Sequence, residues 1–283
     1  MASATNRTAV LHRRTQQSFG YQWTVFGEMS DQFRDDFLNY ISPVGPEFFV
    51  GKRGLDAGCG FGRHLYYAAQ FGAQMIGLDF SKAIIRAKEI AGALDGVQCV
   101  QGDLQKPPLR PHSLDFVYSI GVLHHTPDPE RTFQTLLPLI RPGGAIFVWV
   151  YSKSRKFTNT LLESVRRVSS WLPLGVTRAL SFSGALVDWC VFLLPYRAMR
   201  RLVGAHFDRF VWPRVKLYAR YPFQVVYADW FDRLSAPIRF YYDGDDLAGW
   251  AARAGLINVQ ISPTGLYGWR LYGEIPGEEK ERS

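Results

Sequence analysis

With 283 residues, 47% hydrophobic and 15% aromatic, the chain can bury a full core, which excludes an intrinsically disordered protein and favours one large domain or a domain with a substantial insertion. Its net charge of +8 is concentrated: residues 152–234 hold about 14 Lys and Arg against about 5 Asp and Glu, leaving the rest close to neutral. Cys59, Cys99 and Cys190 show no C-x-x-C spacing and no nearby histidine pair, so neither a metal site nor a disulfide framework is expected and a reducing cytoplasm suits the chain.

Residues 1–15 are basic with no apolar run behind them and read as a frayed tail rather than a secretory signal. Phe19, Tyr21, Trp23, Phe26, Phe33 and Phe37 then predict one or two short helices over 16–50. From residue 51 strands and helices alternate: strand Arg53–Asp56, helix Arg63–Phe71, strand Gln74–Asp79, helix Ser81–Leu94 with Ser81 as its cap, and strands Val97–Gly102 and Leu114–Ser119. A short helix Pro129–Leu137 and a buried strand Gly144–Tyr151 follow. The chain leaves the sheet for about 85 residues and returns with an amphipathic helix Asp245–Leu256 and a strand pair, Val259–Ile261 and Arg270–Ile275. The predicted divisions are 1–50 as tail and cap, 51–151 with 236–283 as core, and 152–235 as an insertion.

At the end of the first strand, Asp56-Ala57-Gly58-Cys59-Gly60-Phe61-Gly62 joins an acid to a glycine loop, where main-chain N–H groups can approach a ligand without a Cβ in the way. A dinucleotide loop would read G-x-G-x-x-G; here Arg63 stands where its third glycine belongs, and Asp56 would repel a pyrophosphate. A nucleoside cofactor bearing a cationic ammonium group gains from the same carboxylate.

D-x-G-x-G-x-G followed about 23 residues later by Gly77-Leu78-Asp79-Phe80-Ser81 resembles the first two motifs of the class I S-adenosylmethionine-dependent methyltransferases. Gln101-Gly102-Asp103-Leu104, Asp115-Phe116-Val117-Tyr118-Ser119 and Arg141-Pro142-Gly143-Gly144 resemble the next three in order, and Gly121-Val122-Leu123-His124-His125-Thr126-Pro127-Asp128-Pro129 is most similar to the ubiquinone-biosynthesis-type branch. The resemblance covers about residues 50–151 and a C-terminal piece. It implies an α/β fold, a Rossmann-like seven-stranded mixed sheet with helices on both faces, an N-terminal helical cap and a largely helical lid after the fifth strand. It also implies S-adenosylmethionine as cofactor, S-adenosylhomocysteine as product, and an acceptor that is a small molecule, lipophilic or isoprenoid-like, methylated on O, N or C.

By the same resemblance, Asp56 with the backbone of Gly58 and Gly60 holds the methionine end, Asp79 accepts the ribose hydroxyls, Asp103 takes the adenine amino group, and Phe80 and Leu104 flank the base. Cys59, Gly62, Ser119 and Ile120 fall along the same site, with Cys59 a small filler rather than a nucleophile. His124 and His125 are the residues near the methyl site that take a proton at neutral pH, with general base and structural packing both open for the pair. Tyr21 and Trp23 are expected to close the cleft from the N-terminal side, and Tyr151, Tyr241 and Tyr242 to line it for the acceptor. Arg63 either reaches an acidic group on a ligand or forms a surface ion pair. Asp243, Asp245 and Asp246 lack calcium-loop spacing and read as helix capping.

The insertion interleaves its basic residues with Trp171, Trp189, Trp212 and Trp230. Its longest apolar run, Ala185–Leu194, contains Asp188 and is too short to span a bilayer. A peripheral contact with an anionic membrane and a solvated basic face on an ordinary lid both remain open. A nucleic-acid methyltransferase using that basic stripe is disfavoured by the absence of an N/D-P-P-Y sequence after the fourth strand, and a non-catalytic cofactor-binding scaffold is disfavoured by the intact acids and glycines. Oligomeric state is left open, a homodimer included.

Overall fold

In the computed structural model, which describes residues 2–154, 156–265 and 267–277, the alternating pattern becomes one sheet. Strands β1 (Arg53–Ala57), β2 (Gln74–Asp79), β3 (Val97–Gln101), β4 (Leu114–Ile120) and β5 (Ile140–Tyr151) are parallel, while β6 (Ile257–Thr264) and β7 (Gly268–Glu274) close the far edge in the order β3-β2-β1-β4-β5-β7-β6. β7 runs antiparallel to both neighbours. Seven strands, mixed direction and flanking helices match the expected architecture. The strand order reverses between β1 and β4, and an open α/β sheet binds ligands beyond the carboxyl ends of its strands at such a point.

Strand composition explains how the sheet is covered. Leu55, Val117, Ile146 and Val148 are fully buried in a cluster with Phe133 and Leu136 of α5 (Pro129–Leu136) and Leu247 and Trp250 of α11 (Gly244–Arg253). Phe116 lies across Gly54 and packs against Phe48 and Phe49, so a Cβ on Gly54 would stand 2.1 Å from its ring. Gly54→Ala is therefore expected to lower stability by about 1–3 kcal/mol through overpacking, measured by urea denaturation; an unchanged midpoint would mean the Phe116 ring has room to move.

The N-terminus departs from expectation. Helix α1 (Ala2–Val25) runs through the stretch read as a frayed tail, and α2 (Gln32–Ile41) follows it. The side of α1 that is buried is mostly polar, Thr15, Ser18 and Gln22 with Phe26 beyond its end, so the aromatic residues from Phe19 onward announce only its second half. Elsewhere the differences are at element ends. Helix α3 spans Arg63–Gln70, and α4 spans Ala83–Ile90, with the Ser81 hydroxyl accepting the Ala83 N–H at 3.2 Å. The acids before α11 form a reciprocal cap: Asp243 accepts the Asp246 N–H at 3.1 Å and Asp246 the Asp243 N–H at 2.8 Å.

Residues 156–237 form a second compact unit, the first comprising 1–155 with 238–283. It contains α6 (Lys156–Ser169), α7 (Leu174–Asp188), α8 (Leu194–Val203), α9 (Pro213–Tyr218) and α10 (Phe223–Ser235). A π-helical turn, Trp189–Leu193, joins α7 to α8, so the ten-residue apolar run lies inside a continuous helix of 30 residues. By length and composition alone that helix can cross a membrane, and only 28% of its most apolar window is buried, which corrects the length argument made from the run. Asp188 no longer interrupts it, because Arg214 and the Trp230 indole neutralise and bond its carboxylate.

Candidate cofactor-binding site and acceptor cleft

Beyond β1 the backbone turns through Gly58, Gly60 and Gly62 at φ of +90°, +53° and +89°, the left-handed region that other residues enter at a cost. Space is short as well, since a Cβ on Gly58 would lie 2.5 Å from the Val122 methyls. The loop does not, however, turn these N–H groups toward a ligand. Gly58 and Cys59 both donate to the Leu78 carbonyl (2.7 and 3.1 Å), Gly60 donates to Asp79 Oδ2 (2.9 Å) and Gly62 to the Cys59 carbonyl (2.8 Å). Four donors that would cradle a phosphate are thus committed within the protein, which disfavours an anionic ligand here.

The two acids beside the loop differ in how they are satisfied. Asp56 is buried, and its Oδ2 meets no hydrogen-bond partner. Burial, reinforced by the nearby Asp79 charge, pushes its carboxyl up to about 8, against the opposing pull of the Tyr118 hydroxyl and Arg63. Asp79 accepts three hydrogen bonds, from the N–H groups of Gly60 and Ser81 (2.9 and 2.8 Å) and from the Ser81 hydroxyl (2.7 Å). Burial raises its pKa too, with those bonds opposing the shift. Cys59 turns away to pack with Ile84 and Ala87, and burial holds its thiol well above its ordinary value, so it is an inert filler.

Helix α1 covers this edge with one face. His12, Gln16, Phe19 and Trp23, spaced four, three and four residues apart, follow one another down it. His12 stacks on Phe80 (5.3 Å), Gln16 Nε2 donates to the Phe80 carbonyl (2.5 Å), Phe19 meets His125 edge-on (4.8 Å), and the Trp23 indole lies against Gly60 and Phe61. His12, Gln16 and Phe19 were missed in the sequence although their helical spacing was legible. Tyr21 stands two residues from both Phe19 and Trp23, on another side of the helix. Among the described residues Arg63 has no ion-pair partner; its guanidinium sits over Phe33, Trp23 and Phe61 at 5.0–5.9 Å.

The remaining cofactor candidates lie at or just beyond the carboxyl ends of β3 and β4. Asp103 is exposed, and its Oδ1 accepts the Gln105 N–H at 2.9 Å. Leu104 is buried and packs into the main core. Ser119 is fully buried and donates to the Ala57 carbonyl (2.9 Å), tying β4 to the end of β1, and Ile120 follows it, buried, at the strand tip.

A ring cluster occupies the ends of β4 and β5. His124 lies 4.1 Å from the Tyr151 ring and 4.3 Å from His125, and Trp149 and Tyr241 pack on Tyr151 at 5.4 and 6.5 Å. The Arg239 guanidinium, absent from the sequence expectations, stands over Tyr151 at 4.8 Å. His125 Nδ1 lies 2.7 Å from the Ile238 carbonyl; since a carbonyl only accepts, the ring's proton is on Nδ1 and its basic nitrogen is Nε2. Tyr242 is not part of the cluster: its ring packs on Trp250 at 4.8 Å, toward the core under α11. Among the described residues no group of three His, Cys, Asp or Glu side chains is placed to hold a metal ion.

Comparison with known proteins agrees with this geometry. The profile of the "Methyltransferase domain" family matches residues 55–148, which run from β1 through the glycine loop and the histidine pair into β5. The chain is 30% identical over 129 residues to a ubiquinone biosynthesis O-methyltransferase of Cupriavidus pinatubonensis, covering 44% of this chain and 52% of that one, and 27% identical over 193 residues to one of Proteus mirabilis, covering 66% and 78%. It thus spans about half the length of the first of these relatives. An O-methyltransferase family protein from Burkholderia thailandensis shares the fold at a TM-score of 0.51 and 13% identity, over 87% of this chain and 57% of that one. The matched profile takes in the reversed strand order at β1 and β4 and the left-handed glycine loop flanked by two buried acids, so this part of the chain is similar to the methyltransferase domain family and to the ubiquinone biosynthesis O-methyltransferases.

Proposed function

We propose that this protein methylates a small lipophilic molecule, with S-adenosylmethionine bound at the carboxyl ends of β1 and β2. The observation that carries the reading is the buried Asp56 Oδ2 left without a partner beside a loop whose N–H groups are already spent. Such a site suits a cation and repels phosphate, and the methionine end of this cofactor carries an ammonium group. Asp56 and the glycine loop hold that end. Asp79 receives the ribose with the acceptor capacity left after three hydrogen bonds, and Phe80 lies beside the base. When bound, the cofactor supplies an electrophilic methyl group on a sulfonium sulfur.

The chain's own task is then to align an acceptor and keep water away. Tyr151, Tyr241 and Trp149 offer flat apolar walls, which favour an aromatic or isoprenoid-like acceptor over a small polar one. His125 is assigned the proton-accepting role at Nε2, and His124, fully buried against Tyr151, the packing role. His125→Gln is expected to lower kcat on a phenolic acceptor roughly 10²-fold or more, with cofactor affinity little changed. An equal loss of affinity for S-adenosylhomocysteine would make His125 a packing residue instead.

The names of the curated relatives support the lipophilic and oxygen-directed part of the reading. Its test is release of S-adenosylhomocysteine across hydrophobic phenols, quinone precursors and isoprenoid-linked acceptors. Turnover confined to small polar acceptors would remove the lipophilic assignment while leaving the methyl transfer in place.

A further inference from the structure

We propose that the long α7–α8 helix and the Phe210–Trp212 segment after it dock this protein on the surface of an anionic lipid bilayer. Residues 156–237 hold twelve Lys and Arg against five Asp and Glu, net +7 out of the chain's +8. Against this charge the helix presents a largely apolar side, interrupted by Ser183 and Arg201. Val176, Leu180, Val187, Val191, Leu194 and Leu202 are exposed and recur at steps of three, four, seven and eight residues, a single stripe roughly 40 Å long at 1.5 Å per residue. Solvated monomers rarely leave so long an apolar patch uncovered. Among the described residues the three most exposed large hydrophobics, Leu202 at 81%, Phe210 at 73% and Trp212 at 71%, lie in or just after the last part of the helix in sequence, among exposed Arg200, Arg201 and Arg209, and the Trp212 ring stacks on Phe192 of the helix at 6.4 Å. Aromatic side chains interleaved with arginines are suited to the headgroup region, where the rings enter the acyl boundary and the cations meet lipid phosphates.

The opposite side of the helix fixes the mode of contact. Thr177, Ser181, Ala185 and Asp188 are buried, Gly184 lies under the Trp230 ring, and Asp188 holds both Arg214 and the Trp230 indole. Burial would raise the Asp188 carboxyl, but Arg214 and Trp230 outweigh it and keep the group ionised. A spanning arrangement would drag α10, with Asp229, Asp232 and Arg233, into hydrocarbon. The helix therefore lies along the interface with one face in and one face on its own unit. Charge and apolar area select the occupant: a second copy would bring +7 against +7, and a nucleic acid, though it could stack on Phe210 and Trp212, would leave the aliphatic stripe from Val176 to Leu202 in water. The lipid contact does not depend on the chemistry assigned to the cleft.

The test is co-sedimentation of the full chain with phosphatidylcholine vesicles, with and without phosphatidylglycerol. Binding should need phosphatidylglycerol and weaken as salt rises. Phe210→Ser with Trp212→Ser, and separately Arg201→Gln with Arg209→Gln, should each lower partitioning on the order of tenfold or more, while melting temperature and S-adenosylhomocysteine binding stay at wild-type values. In the wild type, brominated lipid should quench tryptophan emission, and the Trp212→Ser change should remove most of that quenching. Wild-type protein that stays in the supernatant with anionic vesicles, variants that bind as the wild type does, or a dimer lost on Val187→Ser with Val191→Ser in place of vesicle binding would each overturn the proposal.

Discussion

Asp56→Asn is expected to make the ligand-free protein more stable at pH 8 and to weaken its binding of S-adenosylmethionine by roughly ten- to a hundredfold, the worth of lost charge-assisted bonds. The stability gain follows from the sign of the carboxyl's shift. Burial raises it to about 8 from an ordinary value of 3.8, so between those pH values the folded state holds a proton that the unfolded state has released. Stability therefore falls as pH rises across that window, on the order of a few kcal/mol in total, and levels off above the folded value. Asparagine cannot ionise and removes the slope, so wild type and variant should converge near pH 4 and separate toward pH 8. Binding follows the opposite logic, because the ammonium group favours the ionised acid. Wild-type affinity should rise up to about pH 8, and calorimetry near neutrality in buffers of different ionisation enthalpy should register proton release. A variant that is less stable at pH 8 and binds as before would place the cofactor's cationic end elsewhere.

The parts of this site legible in the sequence are those in which side-chain identity and backbone requirement coincide. Gly58, Gly60 and Gly62 had to be glycines because the turn is left-handed, and Asp79 marks a strand tip whose next turn begins at Ser81. What stayed hidden depends on which way groups point. Nothing in the spacing of the loop shows that Leu78, Asp79 and Cys59 take its N–H groups, and that detail leaves the loop without the free donors of a phosphate cradle. Tyr241 and Tyr242 are adjacent, yet only Tyr241 joins Tyr151, because neighbouring side chains in an extended segment face opposite ways. The first half of helix α1, read as a tail, escaped for a third reason: hydrophobic periodicity is the usual helix signal, and the aromatic residues that announce a helix begin only at Phe19, while Thr15, Ser18 and Gln22 are the side chains the helix buries. A polar seam of this kind costs more to form than an apolar one unless its groups are bonded, so its place over the cofactor edge points to a covering role.

Asp79→Ala should move stability the other way. Its carboxylate is tied where that of Asp56 is left without a partner at Oδ2, and removing it strands the N–H groups of Gly60 and Ser81 in a buried turn. Each stranded donor costs about 1–3 kcal/mol, so a total loss of roughly 2–5 kcal/mol and a clear drop in melting temperature are expected. The glycine loop also loses the Gly60 tether to β2, keeping those of Gly58 and Cys59 to Leu78, so the ribose contact is lost and the alignment of the methionine end loosens, and affinity for S-adenosylhomocysteine should fall at least as far as in Asp56→Asn. Asp79→Asn separates the two effects. It keeps an oxygen for the Ser81 donors but sets an amide N–H against that of Gly60, which should give intermediate stability with binding still impaired. Thermal melts with and without S-adenosylhomocysteine report both: saturating ligand should raise the wild-type midpoint and leave that of Asp79→Ala nearly unmoved. An alanine variant that melts like the wild type and shifts with ligand would show that the loop holds its left-handed turns without Asp79 and that the ribose is bound by other groups.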